Sequence, residues 1–211
     1  MTELVFLLDC SGSMHGLEED TIGGFNSMLD RQKGEEGQAM VSTILFSNKG
    51  TVIHDRLPLE QVSPMTRAQY VTGGGTALLD AVGRAIHHIR HIHKYARPED
   101  VPDRTLFVIT TDGQENASRN YDYDTIRQMI EEQKTKHGWE FLFLGANMDA
   151  AAEASRFGIG ADHAVEYRCD QVGTALNYEA ISAAVSCVRS HQPLRATWKA
   201  RIDEDVQNRG R

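Results

Sequence analysis

The sequence has little cysteine, and the cysteines it has are poorly placed to pair or to hold a metal ion. Cys10, Cys169 and Cys187 are odd in number and far apart, and no Cys-x-x-Cys pair occurs among the 211 residues. Small secreted proteins held by disulfides usually carry an even set of cysteines. The pattern therefore predicts reduced thiols in a cytoplasmic protein and argues against a zinc site built on cysteine.

Long apolar runs are also missing. A transmembrane helix needs about 20 consecutive, mostly apolar residues, and no stretch of the sequence approaches that length. The apolar run from Leu4 to Leu8 is shorter than the core of a signal peptide and follows Glu3 rather than basic residues. We therefore expect no export signal and no membrane span.

Positive charge is in deficit. The chain has 22 Lys and Arg against 30 Asp and Glu, for a net charge of −8. Proteins that bind nucleic acids neutralise phosphates with clustered Lys and Arg, so nucleic acid is not an expected partner. The hydrophobic share of 40% and the charged share of 25% are those of an ordinary globular protein.

Short apolar runs alternate with amphipathic stretches along the chain. Six of these runs are typical of strands: residues 4–8, 41–46, 51–54, 105–110, 140–144 and 163–167. Helical periodicity fills most of the segments between them. The alternation predicts an α/β fold, with a doubly wound, Rossmann-like sheet of about six strands and helices on both faces.

The connection between the second and third runs differs from the others. The segment from Ser47 to Gly50 is too short for a crossover helix, so the third strand should pair antiparallel with the second. The sheet is therefore predicted to be mostly parallel, with one antiparallel edge strand.

The sequence shows no linker or internal repeat that would divide it. We expect one domain over residues 1–190, followed by a polar tail over residues 191–211. In the tail, Leu194, Trp198 and Ile202 recur every four residues, which favours a short amphipathic helix. Such a helix would pack back onto the domain or bind a partner, and packing is the favoured interpretation.

Polar residues with oxygen-bearing side chains cluster at the ends of predicted strands. The segment 9–14 (DCSGSM) follows the first strand, 110–113 (TTDG) ends another strand, and 73–76 (GGGT) precedes a long helix. In an open α/β sheet, the carboxyl ends of the strands are where ligands bind. The candidate metal ligands in these segments are Asp9, Ser11, Ser13, Thr76 and Asp112.

The candidate ligands suit a hard cation. Mg²⁺ takes oxygen ligands in near-octahedral geometry and keeps several waters, and this set supplies two carboxylates and three hydroxyls. No GxxxxGK[ST] motif occurs, which argues against a phosphate-binding P-loop. We expect Mg²⁺, or Mn²⁺ or Ca²⁺ in its place, and an open coordination position that a partner's acidic side chain can take.

Together these segments resemble the metal-ion-dependent adhesion site (MIDAS) of von Willebrand factor A domains. The resemblance covers roughly residues 1–190 and is most marked for the small, stand-alone bacterial or phage members of that family. The flanking residues that also match the family pattern are Gly12, Met14, Gly75, Ala77, Leu79, Asp80, Ala81 and Gly113.

The resemblance assigns roles to the candidate ligands. It implies that Ser11, Ser13 and Thr76 bind the metal directly, and that Asp9 and Asp112 act through water. It also implies a metal-dependent protein–protein interaction module rather than an enzyme.

Two other functions remain open from the sequence. A metal-dependent phosphohydrolase would use Asp9 as nucleophile, but such enzymes usually carry a second acid two residues later, where this chain has Ser11. A structural subunit would use the metal only for stability. A second metal site on His87 and His91, which share a helical face within the histidine-rich run 87–93, is less favoured than a solvated polar face.

Overall fold

The structure of the protein, a computed structural model, describes residues 1–209. Its single sheet has the strand order β3-β2-β1-β4-β5-β6. The strands are β1 (Thr2–Asp9), β2 (Ala39–Phe46), β3 (Gly50–Pro58), β4 (Arg104–Thr111), β5 (Glu140–Ala146) and β6 (Ala164–Tyr167). Strand β3 is antiparallel to β2 and lies at the sheet edge, while the other neighbouring strands are parallel. The predicted fold class is confirmed.

Helices cover both faces of the sheet. They are α1 (Glu18–Lys33), α2 (Leu78–Tyr95), α3 (Tyr123–His137), α4 (Ala150–Arg156), α5 (Gln171–Arg189) and α6 (Ala200–Arg209). Phe6 and Leu8 belong to the core shared with α1, α5 and α6, whereas Val5 and Leu7 belong to the core shared with α2, α3 and α4. Alternate side chains of a strand point to opposite faces, so a strand buried on both faces is apolar throughout.

The two central strands carry the candidate site. Strands β1 and β4 are neighbours in the middle of the sheet, and they run parallel. Asp9 is the last residue of β1, and Asp112 directly follows the last residue of β4. Both carboxylates therefore lie at the same edge of the sheet.

Helix α1, which follows the loop after β1, packs closely against α5. A Cβ on Gly24 would lie 2.3 Å from a ring carbon of Tyr178, so only glycine allows the two helices this approach. At the other end of α1, the Arg189 guanidinium donates hydrogen bonds to the carbonyl oxygens of Gln32 at 2.5 Å and Gly37 at 2.7 Å. The bond to Gln32 satisfies a carbonyl group that a helix end leaves without an intrahelical donor, and the bond to Gly37 holds the loop after α1.

The tail packs against the rest of the chain. The Trp198 indole donates a hydrogen bond to the carbonyl oxygen of Asp162 at 2.9 Å, and Ile202 on α6 is 1% exposed. The Arg209 guanidinium reaches Asp170, the N-cap of α5, at 2.8 Å. No helix within residues 1–209 is long and apolar enough to cross a bilayer.

Candidate metal centre

The loop after β1 is organised around the Asp9 carboxylate. The Ser11 backbone N–H donates to Asp9 Oδ1 at 2.7 Å, and the Thr111 hydroxyl donates to Asp9 Oδ2 at 2.6 Å. A short 3₁₀ turn over Gly12–Met14 then brings the hydroxyl oxygens of Ser11 and Ser13 within 3.1 Å of each other. Asp9 is 1% exposed, so one donor from this loop and one from β4 hold a buried carboxylate at the base of the loop.

Asp112 joins the two serines from the neighbouring strand. The Ser13 hydroxyl donates to Asp112 Oδ1 at 2.5 Å. The Cys169 thiol, which follows β6, donates to Asp112 Oδ2 at 3.6 Å. Cys169 is not among the sequence-predicted site residues, because nothing in the local pattern around it indicates a position beside Asp112.

The glycine-rich loop carries Thr76 to the same place. Gly73 has φ +155° and Gly74 has φ +79°, backbone angles that residues with a side chain rarely adopt. The glycine-rich loop contacts the loop after β1 through two backbone hydrogen bonds. Gly12 N donates to Gly74 O at 3.0 Å, and Gly73 N donates to Cys10 O at 2.9 Å. Thr76 is 2% exposed and directly precedes the start of α2.

The three hydroxyls converge beside Gly113. A Cβ on that glycine would lie 2.9 Å from Thr76 Oγ1, 3.4 Å from Ser13 Oγ and 3.9 Å from Ser11 Oγ. The glycine thus leaves free a small space faced by all three hydroxyls. Since Asp112 bonds Ser13 and Asp9 bonds Ser11, all the sequence-predicted ligands meet around this space.

The donor chemistry fits a hard divalent cation, because the converging groups are hydroxyl and carboxylate oxygens. Within residues 1–209, no group of three or more His, Cys, Asp and Glu side chains is arranged to hold a metal ion. The candidate centre takes three of its five side chains from Ser and Thr, which lie outside those residue types.

Folding places the Asp9 and Asp112 carboxylates where their ionised forms are disfavoured. Burial raises the pKa of Asp9; hydrogen bonds from Ser11 and Thr111 oppose the rise, and the negative charge of Asp112 adds to it. Burial likewise raises the pKa of Asp112, against the hydrogen bond from Ser13. A carboxyl whose pKa is raised by folding binds protons more readily in the folded state, so its ionisation lowers stability as the pH rises above its ordinary pKa. A cation at this site would relieve that cost.

Comparisons with solved structures identify the fold. The protein is similar to proximal thread matrix protein 1 of the mussel byssus, with 13% identity over 88% of this chain and a TM-score of 0.58. It is also similar to a von Willebrand factor type A structure from Catenulispora acidiphila, with 16% identity over 87% of this chain and a TM-score of 0.55. The chain has a von Willebrand factor A-like fold.

Further solved structures share this fold. The von Willebrand protein VWA2 of Sulfolobus acidocaldarius, a paralog of ArnB, matches with 18% identity over 84% of this chain and a TM-score of 0.53. The chain spans less than half of these three structures, at 46%, 42% and 44% of their lengths. Another structure of the mussel protein is described with zinc occupying its MIDAS motif. Neither models of protein families nor curated protein sequences match this chain.

In this von Willebrand A-like fold, the loop after Asp112 packs on the start of α2. Glu115 accepts hydrogen bonds from the backbone N–H groups of Leu79 at 2.9 Å and Ser118 at 2.7 Å. Asp80 accepts from the backbone N–H and the side-chain amide of Asn120, at 2.9 and 2.6 Å, and from Tyr121 N at 3.1 Å. Burial acts to raise the pKa of Asp80, but the hydrogen bonds outweigh it and hold that pKa below its ordinary value.

Replacing Asp80 is therefore expected to destabilise the protein. Asp80→Ala leaves several N–H groups of a packed loop without an acceptor, which should lower the free energy of unfolding by about 2–4 kcal/mol at neutral pH. Because the pKa of Asp80 is lowered by folding, its contribution is complete above the ordinary carboxyl pKa and is lost as the pH falls through the lower folded value.

Urea unfolding at neutral pH and at about pH 3 measures both effects. The difference between wild type and Asp80→Ala should shrink in acid. The control is Asp30→Ala, which removes an exposed carboxylate of α1 and should change stability little. Equal stability of Asp80→Ala and wild type at neutral pH would contradict the role given to Asp80.

The histidine-rich run of α2 forms surface contacts away from the candidate centre. The rings of His87 and His91 stack with centroids 6.4 Å apart, and His88 Nε2 lies 2.8 Å from Asp55 Oδ1. His93 is more buried, and its Nε2 lies 3.2 Å from the Glu3 carboxylate. These residues occupy the second half of α2, whereas Thr76 precedes its first turn.

Proposed function

We propose that the protein is a metal-dependent protein–protein interaction module that holds Mg²⁺, or the related hard cations Mn²⁺ or Ca²⁺. Ser11, Ser13 and Thr76 would bind the ion directly, and Asp9 and Asp112 would act through water. The observation that carries the proposal is the convergence of three hydroxyls beside Gly113. Two buried carboxylates adjoin them: Asp112 accepts a hydrogen bond from the Ser13 hydroxyl, and Asp9 accepts one from the Ser11 backbone N–H. The zinc at the MIDAS motif of a structurally similar mussel protein supports it.

The ligand set favours recognition of an acidic partner. When bound, the ion supplies a Lewis-acidic coordination position that a carboxylate from another molecule can take. The direct ligands would be neutral hydroxyls, and Asp9 and Asp112 would act through water, so the ion would have no direct anionic ligand from this chain. Gly12 and Ser13 are exposed, while Ser11 and Thr76 are buried, so a partner's Asp or Glu would approach from the side of Ser13.

We propose binding rather than catalysis as the use of this site. Burial raises the pKa of the Cys10 thiol to about 11, and burial together with the charge of Asp112 raises the pKa of the Cys169 thiol to about 12. Both thiols are therefore protonated at neutral pH and are poor nucleophiles.

All three cysteines are free, which supports our further proposal that the protein works in the cytoplasm.

Removing divalent metal should lower the melting temperature. A ligand that binds only the folded protein adds about 2.7 kcal/mol at a hundredfold excess over its Kd, which for a chain of this size corresponds to about 5–10 °C. The measurement is a thermal unfolding curve in Mg²⁺ and in EDTA. The Asp112→Ala protein serves as control and should melt at the same temperature in both buffers. A wild-type curve that EDTA does not move would contradict the proposal.

A further inference from the structure

The glycine-rich loop that carries Thr76 has little intrinsic rigidity, yet its backbone is held at successive positions. Glycine has the largest conformational freedom of any residue, so a loop with three glycines needs contacts to fix it. Gly73 N donates to Cys10 O at 2.9 Å, and Ala77 N donates to Ser47 O at 2.8 Å. Between these two backbone contacts, the acceptors are side chains.

Two asparagine amides accept hydrogen bonds from two of the intervening N–H groups. Asn48 Oδ1 accepts from Gly75 N at 2.7 Å, and Asn116 Oδ1 accepts from Thr76 N at 2.8 Å. Asn116 also donates its own backbone N–H to Thr76 O at 3.1 Å. Asn116 therefore binds both polar backbone groups of Thr76.

The position of Asn116 in the chain links two parts of the candidate centre. It belongs to the loop that begins with Asp112, so its bonds to Thr76 join a candidate carboxylate and a candidate hydroxyl into one unit. Both amide oxygens also lie close to Gly75: a Cβ on that residue would be 2.7 Å from Asn116 Oδ1 and 3.0 Å from Asn48 Oδ1. A side chain at position 75 would therefore collide with the two amides in their present positions.

We propose that Asn116 is a positioning residue for the metal centre, which fixes the Thr76 hydroxyl in place before the ion arrives; this rests on the proposed function. Asn48 supports the same loop by accepting a hydrogen bond from the neighbouring Gly75 N. Loss of the Asn116 amide leaves the N–H of a residue that is 2% exposed without its acceptor and frees the loop to move. Groups that orient metal ligands typically contribute 10- to 100-fold to metal affinity.

The test compares Asn116→Ala, Asn116→Asp and Gln114→Ala by calorimetric titration with Mn²⁺. Asn116→Ala should bind Mn²⁺ at least about tenfold more weakly than wild type. Asn116→Asp keeps an oxygen acceptor for Thr76 N and should restore the affinity. Gln114→Ala removes an exposed amide of the same loop and should bind as wild type does. Wild-type affinity in Asn116→Ala, or failure of Asn116→Asp to restore it, would overturn the proposal.

A second measurement needs no metal. Hydrogen exchange in EDTA should show faster exchange of the Thr76 amide in Asn116→Ala, while the Ala77 amide, whose acceptor is a backbone carbonyl, keeps its rate. Unchanged exchange at Thr76 would also overturn the inference. If wild type binds no Mn²⁺ while the exchange result holds, the proposed function fails and the structural role of Asn116 stands.

Gly75→Ala provides an independent variant. The added methyl group would displace the Asn48 and Asn116 amides and should weaken Mn²⁺ binding by at least as much as Asn116→Ala does. Its melting temperature in EDTA should fall by only a few degrees, because two hydrogen bonds are lost while backbone bonds to Cys10 and Ser47 keep both ends of the loop attached. Wild-type affinity in Gly75→Ala would show that the amides do not set the position of Thr76.

Discussion

Proteins captured from a native lysate by the immobilised chain in Mg²⁺ should be lost in EDTA, and also when Thr76→Ala replaces wild type in Mg²⁺. In the proposed complex, a carboxylate of the partner meets a centre that includes the Thr76 hydroxyl. Chelating the ion removes one side of a close charged contact, which costs about 2–5 kcal/mol, so the affinity for the partner should fall by at least about 30-fold. Thr76→Ala removes a direct ligand of the ion and should reduce capture by weakening metal binding.

The matched control for this experiment is Thr135→Ala. It removes the same hydroxyl and methyl groups from an exposed position on α3 and should retain every partner. A partner retained in all conditions would show that another surface, such as the one around Trp198, makes the contact. Loss in EDTA with retention by Thr76→Ala would show that the metal stabilises the fold without binding the partner, as in a structural subunit.

Once a partner is identified, substitutions in that partner can locate the carboxylate that binds the ion. Exposed Asp and Glu residues of that partner are changed one at a time to Asn and Gln, which keep the size of the side chain but remove its charge. One such change should abolish metal-dependent binding, because a neutral amide is a weaker ligand for a hard cation than a carboxylate. Binding that survives every change would contradict the proposed mode of recognition.

Most of the sheet could be predicted from the sequence because its central strands are buried on both faces. The runs at residues 4–8 and 105–110 are continuous and apolar, which amphipathic helices are not, and the short turn after Phe46 required an antiparallel strand. The length of that strand was not predictable. It extends to Pro58 through irregular pairing near Arg56, whose φ is +46° and whose guanidinium binds the buried Glu3 carboxylate at 2.8 Å.

The candidate ligands could be proposed from sequence because each stands in a short local pattern at the end of a strand or the start of a helix. The residues that hold them could not. Cys169 is 57 positions from Asp112, and Asn116 is 40 positions from Thr76. A lone Cys and a lone Asn in polar loops give no sign of these contacts, which exist because parallel strands bring their following loops to one edge.

Calorimetric titration with Mn²⁺ of wild type and Asp112→Ala tests the central claim most directly. We expect a single site in wild type and about 10- to 100-fold weaker binding in Asp112→Ala, because the variant removes one of two carboxylates at the centre and the acceptor of the Ser13 hydroxyl. Asp30→Ala, on the exposed face of α1, should bind as wild type does. Equal affinity in wild type and Asp112→Ala would contradict the account, since the ion would then be bound elsewhere, for example by His87 and His91.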